Sequence, residues 1–335
     1  MIRSLQAGRA LAALAVVFHH IAQSTATFTD GMPDWLKAIC ERGYLGVDFF
    51  FVLSGFIIAH TRHHHHSLGD YARSRLVRVF IPYWPIGVAI AAAYVLLPGI
   101  SLSDREWSWA ATLTLLPATG EPALIVAWTL QVELLFYLFF GIAMALRHPL
   151  LGVLLWGAVV LLFNAVAGPP SAALAPFLGP IVLEFVIGVI AAYTVATHRL
   201  QNAAFFAVAT LAIYFGLGAI APHRLIFGLA MGFVVVAMVR AERAGQIRVP
   251  AALTFLGAAS YSIYLVHNPV GALSARLFDN WLVTFVFASS AGVAAGIVYH
   301  LAFEKPLLRL LSQKRRPAAS PPPLAEPAPQ IAGQG

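Results

Sequence analysis

The stretch GRALAALAVVFHHIAQS, residues 8–24, is apolar over most of its length, yet it holds Arg9, His19 and His20. A run like this fits a membrane span, which needs roughly 20 mostly apolar residues to cross ~30 Å of hydrocarbon. It begins almost at the N-terminus and no small-residue cleavage site follows, so it reads as a first span and not as a signal peptide. Ionisable side chains inside such a run are costly and mark function by default. Arg9 and His20 are 11 residues apart, about three helical turns or ~16 Å, which puts both on one face.

Working outward, nine further windows have the same character: 44–61, 79–98, 127–146, 149–167, 178–197, 203–219, 222–239, 255–275 and 281–303. The stretch at 106–118, with Trp107, Trp109 and Leu113, is too short to span and reads as interfacial or re-entrant. The expected fold is therefore all-α: an integral membrane bundle of about ten transmembrane helices with a polar interior. It forms one domain over residues 1–310, followed by a disordered, Pro/Ala-rich tail over 311–335. Composition agrees. Of 335 residues, 60% are hydrophobic and 10% charged, against about 25% charged in a soluble domain. A large soluble core is excluded. The net charge of +7 is spread between apolar runs, which argues against nucleic acid. Cys40 is the one cysteine, so no intrachain disulfide can form.

Loop charges set an orientation. Arg62, Arg73, Arg75 and Arg78 face Asp70 alone in the 62–78 loop, and Arg147, Arg199, Arg240, Arg243 and Arg248 mark later loops of the same parity. The alternate loops are acidic or neutral, with Asp30, Asp34, Glu41, Asp104, Glu106 and Glu121. The basic tail, with Lys314, Arg315 and Arg316, joins the Arg-rich side. Both termini are expected in the cytoplasm of a protein of the plasma (inner) membrane. Arg224 and Arg276 are isolated exceptions.

This orientation sorts the buried ionisable residues into two layers. His20, Asp48, Glu133, Glu184 and His267 are expected in the outer half, and Arg9, Arg75, Arg78, Arg147, Arg199 and Lys305 on the inner side. Histidine beside carboxylate equips a site for general acid–base catalysis or for a proton relay. A ring of Arg can hold a polyphosphate. Arg75 and Arg78 share a face if the third span is already helical there. Blander readings stand beside these. Asp48 can cap the second span, His63 to His66 read as a solvated loop without ligand geometry, and Phe49-Phe50-Phe51 as packing or lipid-facing. A proton-coupled transporter or flippase uses the same His and carboxylate groups, and a non-catalytic membrane assembly subunit is a third reading.

Six blocks in order carry a family resemblance. Arg9 with His20 resembles the Arg, ten residues, His signature of the membrane acyltransferase-3 family. The run from Gly46 to Gly55 (GVDFFFVLSG) resembles its second-span motif, and Arg75 to Tyr83 (RLVRVFIPY) its Arg-x-x-Arg run. Trp128 to Glu133, Ser260 to His267 and Glu304-Lys305-Pro306 resemble later blocks. The short loops and motif wording look closest to the exopolysaccharide O-acetyltransferase branch. The resemblance implies ten spans and a cytosolic acyl-CoA donor, taken as acetyl-CoA, with no metal. It implies an acceptor hydroxyl on a glycan or lipid-linked saccharide. His20 is the expected base or acyl carrier, oriented by Asp48 or Glu133. Arg9, Arg75 and Arg78 are expected to hold the CoA phosphates, and Glu184, Tyr261, Tyr264, His267 and Trp128 to bind substrate. His19 beside His20 makes the register of the base a point to check.

Overall fold

The structure is a computed structural model that describes residues 2–64, 67–97, 99, 106–117, 120–171, 174–197, 201–216 and 223–313. Several sequence expectations lie outside these residues: Asp104, Arg199, the last two histidines of the 63–66 run, Lys314 to Arg316 and the tail beyond.

The described residues fold into fourteen α-helices. They are α1 (Arg3–Phe28), α2 (Asp34–Glu41), α3 (Leu45–His60), α4 (Leu68–Leu96), α5 (Trp109–Thr114), α6 (Trp128–Ala145) and α7 (Pro149–Val166), then α8 (Ala175–Leu178), α9 (Val182–Ala196), α10 (Ala203–Gly216), α11 (His223–Arg243), α12 (Ala251–Ser274), α13 (Trp281–Tyr299) and α14 (Lys305–Gln313). A π-helical turn, His300–Glu304, joins the last two. Among the described residues the one strand-like pairing is an isolated bridge between Trp107 and Glu121. Helices satisfy their own backbone hydrogen bonds, which hydrocarbon demands.

Every one of the ten expected windows holds a helix. Among the described residues, eight helical segments are long and apolar enough to cross a membrane, with α2 and α3, α8 and α9, and α13 and α14 each counting as one. The other two are α10, with 14 described residues, and α12. The reason at α12 is visible in its sequence. It exchanges apolar side chains for Ser260, Ser262 and His267, all fully buried inside the bundle. The boundaries also move. Helix α4 starts at Leu68, where Ser67 caps it by accepting from the Asp70 N–H, so Arg75 and Arg78 sit on a helix and not in a loop. The 106–118 stretch contains the six-residue α5, tied to α4 by Tyr83 Oη–H to Thr112 O and Trp84 Nε1–H to Leu113 O, both 2.9 Å.

Packing holds these helices together, since lipid tails are as apolar as the side chains. Helix α1 lies along α12, α3 along α9, and α12 along α13. Two glycines make the α3–α9 approach close and reciprocal. A Cβ on Gly188 would strike the Val52 carbonyl, and one on Gly55 the Phe185 carbonyl. Beside this seam Phe185 stacks on Phe136 at 4.2 Å and meets Phe51 at 4.8 Å. Phe49 and Phe51 are buried, so that aromatic run packs inward. The result is a packed frame around α1, with α12 and α3 on its flanks.

Candidate functional site

Arg9 and His20 on α1 both meet residues of α12, but in different places. His20 stands near the C-terminal end of α1 and lines a cavity of about 620 Å³ together with Gln23, Ser24, Tyr94 and Asn268. Arg9 stands near its N-terminal end and lines a cavity of about 80 Å³ with Arg78, Glu133, Ser54 and Tyr261. Tyr264 lines the smaller cavity and holds its ring 5.8 Å from that of His267. Its hydroxyl bonds Val126 O at 3.1 Å and Thr129 Oγ1 at 3.0 Å.

His20 meets His267 across the α1–α12 seam. His267 Nε2 lies 3.1 Å from His20 Nδ1. His267 Nδ1 lies 2.7 Å from Tyr264 O and 3.1 Å from Ile263 O, and His20 Nδ1 is 3.1 Å from Val16 O. His267 is fully buried, while His20 is half-buried at the cavity wall. His19 points elsewhere: its Nδ1 is 3.2 Å from Cys40 O, and its ring lies edge-on to Tyr44.

At the smaller cavity, Glu133 Oε1 accepts from Ser54 Oγ–H at 2.7 Å and from Tyr137 Oη–H at 2.5 Å. Tyr261 donates to Val79 O at 2.8 Å. Arg9 is buried; its Nη1 reaches Gln6 Oε1 at 3.5 Å, and it lies in the combined field of Arg78, Glu304 and Glu133. Of the side chains that line this pocket, two guanidinium groups face one carboxylate, Glu133, so cationic groups outnumber acidic ones at its wall and can meet an anion.

Several expectations separate here. Arg75 and Arg78 are on one helix but not in one site. Arg75 is buried between the rings of Tyr71 and Tyr137, at 5.7 and 5.6 Å, and donates to Thr61 Oγ1 at 3.1 Å. It borders an apolar groove of about 360 Å³ between α4 and α6. Arg78 alone of the pair joins Arg9. Asp48 and Glu133 do not orient His20. Asp48 is engaged on both oxygens by Arg224, Nε to Oδ1 at 2.9 Å and Nη2 to Oδ2 at 3.2 Å. It makes no cap: the residue before α3 is Tyr44, without a side-chain cap bond. Glu184 is 1% exposed in the same cluster, with its carboxyl group set against that of Asp48 and within the field of Arg224. Trp128 is two-fifths exposed, packs edge-on to Phe51 and lines neither cavity. The expected outer layer therefore resolves into a histidine pair, an Asp48–Arg224–Glu184 cluster and the Glu133 pocket.

Sequence reading missed Arg224 as a partner, Tyr137 and Ser54 as donors, and a buried triplet on α12 and the π-turn. In that triplet Ser262 Oγ–H and His300 Nδ1 both meet Glu304 Oε2, at 2.6 and 2.7 Å. The i,i+4 spacings of Glu133 with Tyr137 and of His300 with Glu304 were signals available in the sequence. Among the described residues no three His, Cys, Asp or Glu side chains group as a metal site.

A family model described as an acyltransferase domain matches residues 2–301. The acyltransferase MdmB of Streptomyces mycarofaciens is 28% identical, over 98% of this chain and 97% of that protein. The exopolysaccharide production protein ExoZ of Rhizobium meliloti (strain 1021) is 29% identical, over 80% of this chain and 90% of that protein. No solved structure matches the chain.

Proposed function

We propose, for a chain that belongs to the acyltransferase-3 family and is a multi-pass membrane O-acyltransferase, that it moves an acetyl group from cytosolic acetyl-CoA to a hydroxyl of an exported glycan or its lipid-linked precursor. The bundle has ten spans, with α10 and α12 completing the eight apolar ones, and lies in the plasma membrane with both termini cytoplasmic. The alternation of Arg-rich and acidic loops supports that orientation. The N-terminal end of α1 is then the cytoplasmic end.

One observation carries the reading. The cationic pocket and the histidine-walled cavity lie at opposite ends of one helix, with Arg9 and His20 about three turns, or ~16 Å, apart. Arg9 and Arg78 hold the phosphates of the donor, and its acyl-bearing arm extends along α1. The acceptor enters the larger cavity from the outer face, among the amides and hydroxyls of Gln23, Asn268, Ser24 and Tyr94. Such a wall suits a sugar. His20 takes the acceptor proton as the oxygen attacks the thioester carbonyl. The carbon–sulfur bond then breaks, and the CoA thiolate leaves with that proton. The ExoZ relative is an exopolysaccharide production protein by name, which supports a glycan as acceptor.

Mass analysis of surface glycans from cells with and without the protein tests the acceptor class. Loss of an acetyl-sized increment is expected, and an unchanged glycan with altered lipid acylation overturns it. Purified protein should release CoA thiol only when acetyl-CoA and acceptor are both present.

A further inference from the structure

His267 is buried completely and touches no carboxylate, so its neutral form is the one its surroundings accommodate. Its Nδ1 faces two backbone carbonyls, Tyr264 O at 2.7 Å and Ile263 O at 3.1 Å. A carbonyl oxygen only accepts, so Nδ1 must carry the hydrogen. A neutral imidazole has one donor and one acceptor nitrogen, which leaves Nε2 as a lone pair. The atom facing that lone pair is His20 Nδ1, 3.1 Å away. Two acceptors do not bond, so His20 Nδ1 carries its own hydrogen and shares it with Val16 O, also at 3.1 Å. The remaining nitrogen of His20, Nε2, is then a lone pair on a ring that lines the large cavity.

We propose that His267 is a positioning residue: through the chain of hydrogen bonds from the Tyr264 carbonyl to its own ring and on to His20 Nδ1, it holds His20 as the tautomer whose basic nitrogen is Nε2. It does not bind substrate. This refines the role of a residue expected among the substrate contacts, and it rests on the reading of His20 as the base. The device differs from a histidine backed by aspartate. An aspartate orients the ring and also stabilises the imidazolium by charge. A neutral histidine orients the ring and leaves the cation to be stabilised by the Val16 carbonyl and the reacting groups. The backbone supports the arrangement. Gly292 on α13 lets the helix close against the His267 backbone and Cβ, where an added Cβ would meet it at 3.3 to 3.4 Å.

The test uses full-length protein in lipid bilayers, labelled with ¹⁵N-histidine. Difference spectra against His20→Ala and His267→Gln assign two of the 12 histidines. Both rings should read as neutral with hydrogen on Nδ1, and His267→Leu should turn His20 into a mixture of tautomers. In acetyl transfer, His267→Leu should lower kcat by about 10–100-fold, the order lost when a partner that orients a metal-bound imidazole is removed. The KM for acetyl-CoA should stay unchanged. His267→Gln offers an amide oxygen to His20 Nδ1–H and should recover most of the loss. A His20 ring protonated on Nε2, a doubly protonated His267, or equal activity of the Leu and Gln variants overturns the proposal. If the tautomers are as stated but His20→Ala still transfers acetyl, the pair stands and the reading of His20 as the base falls.

Discussion

The histidine pair and the Asp48–Arg224 pair are both polar contacts between helices far apart in sequence, and they differ in what they leave unsatisfied. Arg224 and Asp48 use two nitrogens and two oxygens on one another, and the Asp48 side chain is fully enclosed. That pair ties α11 to α3. His20 spends one nitrogen on His267 and Val16 and has the other left on a cavity wall. Helix α4 repeats the contrast within a single turn. Arg75 is enclosed by two tyrosine rings and a threonine, and Arg78 faces a pocket. A buried ionisable residue in a membrane bundle is costly wherever it lies. A group whose hydrogen-bonding capacity is spent within the protein locks helices, and one with capacity left facing a cavity is available for chemistry.

The largest expected effect breaks this comparison if it fails. His20→Ala should lose about 10³-fold in acetyl transfer, within the range of a general base, while acetyl-CoA still binds. His19→Ala should keep most activity, because that ring is held against Cys40 O on another side of α1. Transfer rates at matched membrane abundance decide it, and a dead His19→Ala with an active His20→Ala would move the site by one residue. Next in size, Arg78→Ala should raise the KM for acetyl-CoA about 10-fold or more, the loss of one charge-assisted phosphate contact of ~1.5–3 kcal/mol. Arg75→Ala should change that KM little and reduce stability instead. Equal KM effects from the two would erase the distinction between them. Smallest in turnover, Arg224→Ala should lower the thermal midpoint, since removing one partner of a buried ion pair and stranding the carboxylate costs about 3–5 kcal/mol. Activity per folded molecule should stay within a few-fold, and a selective loss of kcat without destabilisation would make that cluster part of the site.

What was legible in the sequence follows from what is local. Helical windows, their order and the Arg9–His20 spacing depend on apolar runs and helical period, and all of these appear in the helices. The polar character of α12 was legible too, in Ser260, Ser262 and His267. Partnerships were not, because they join distant segments: His20 to His267 across 247 positions, and Asp48 to Arg224 across 176. Depth alone placed five ionisable residues in one layer, and depth does not say which helix faces which. The split of Arg75 from Arg78 turns on Tyr137, brought by α6. Arg224 was a signal read too lightly. A lone cation on the acidic side of the loop pattern needed a carboxylate, and Asp48 is that carboxylate.

The central claim is that donor and acceptor reach His20 from opposite faces of the membrane. Inside-out vesicles carrying the protein, with acceptor saccharide enclosed and labelled acetyl-CoA outside, test it most directly. Label should appear on the enclosed acceptor, CoA should be released outside, and both should vanish in His20→Ala. Label found only when acceptor and donor share the same side of the membrane would contradict the account.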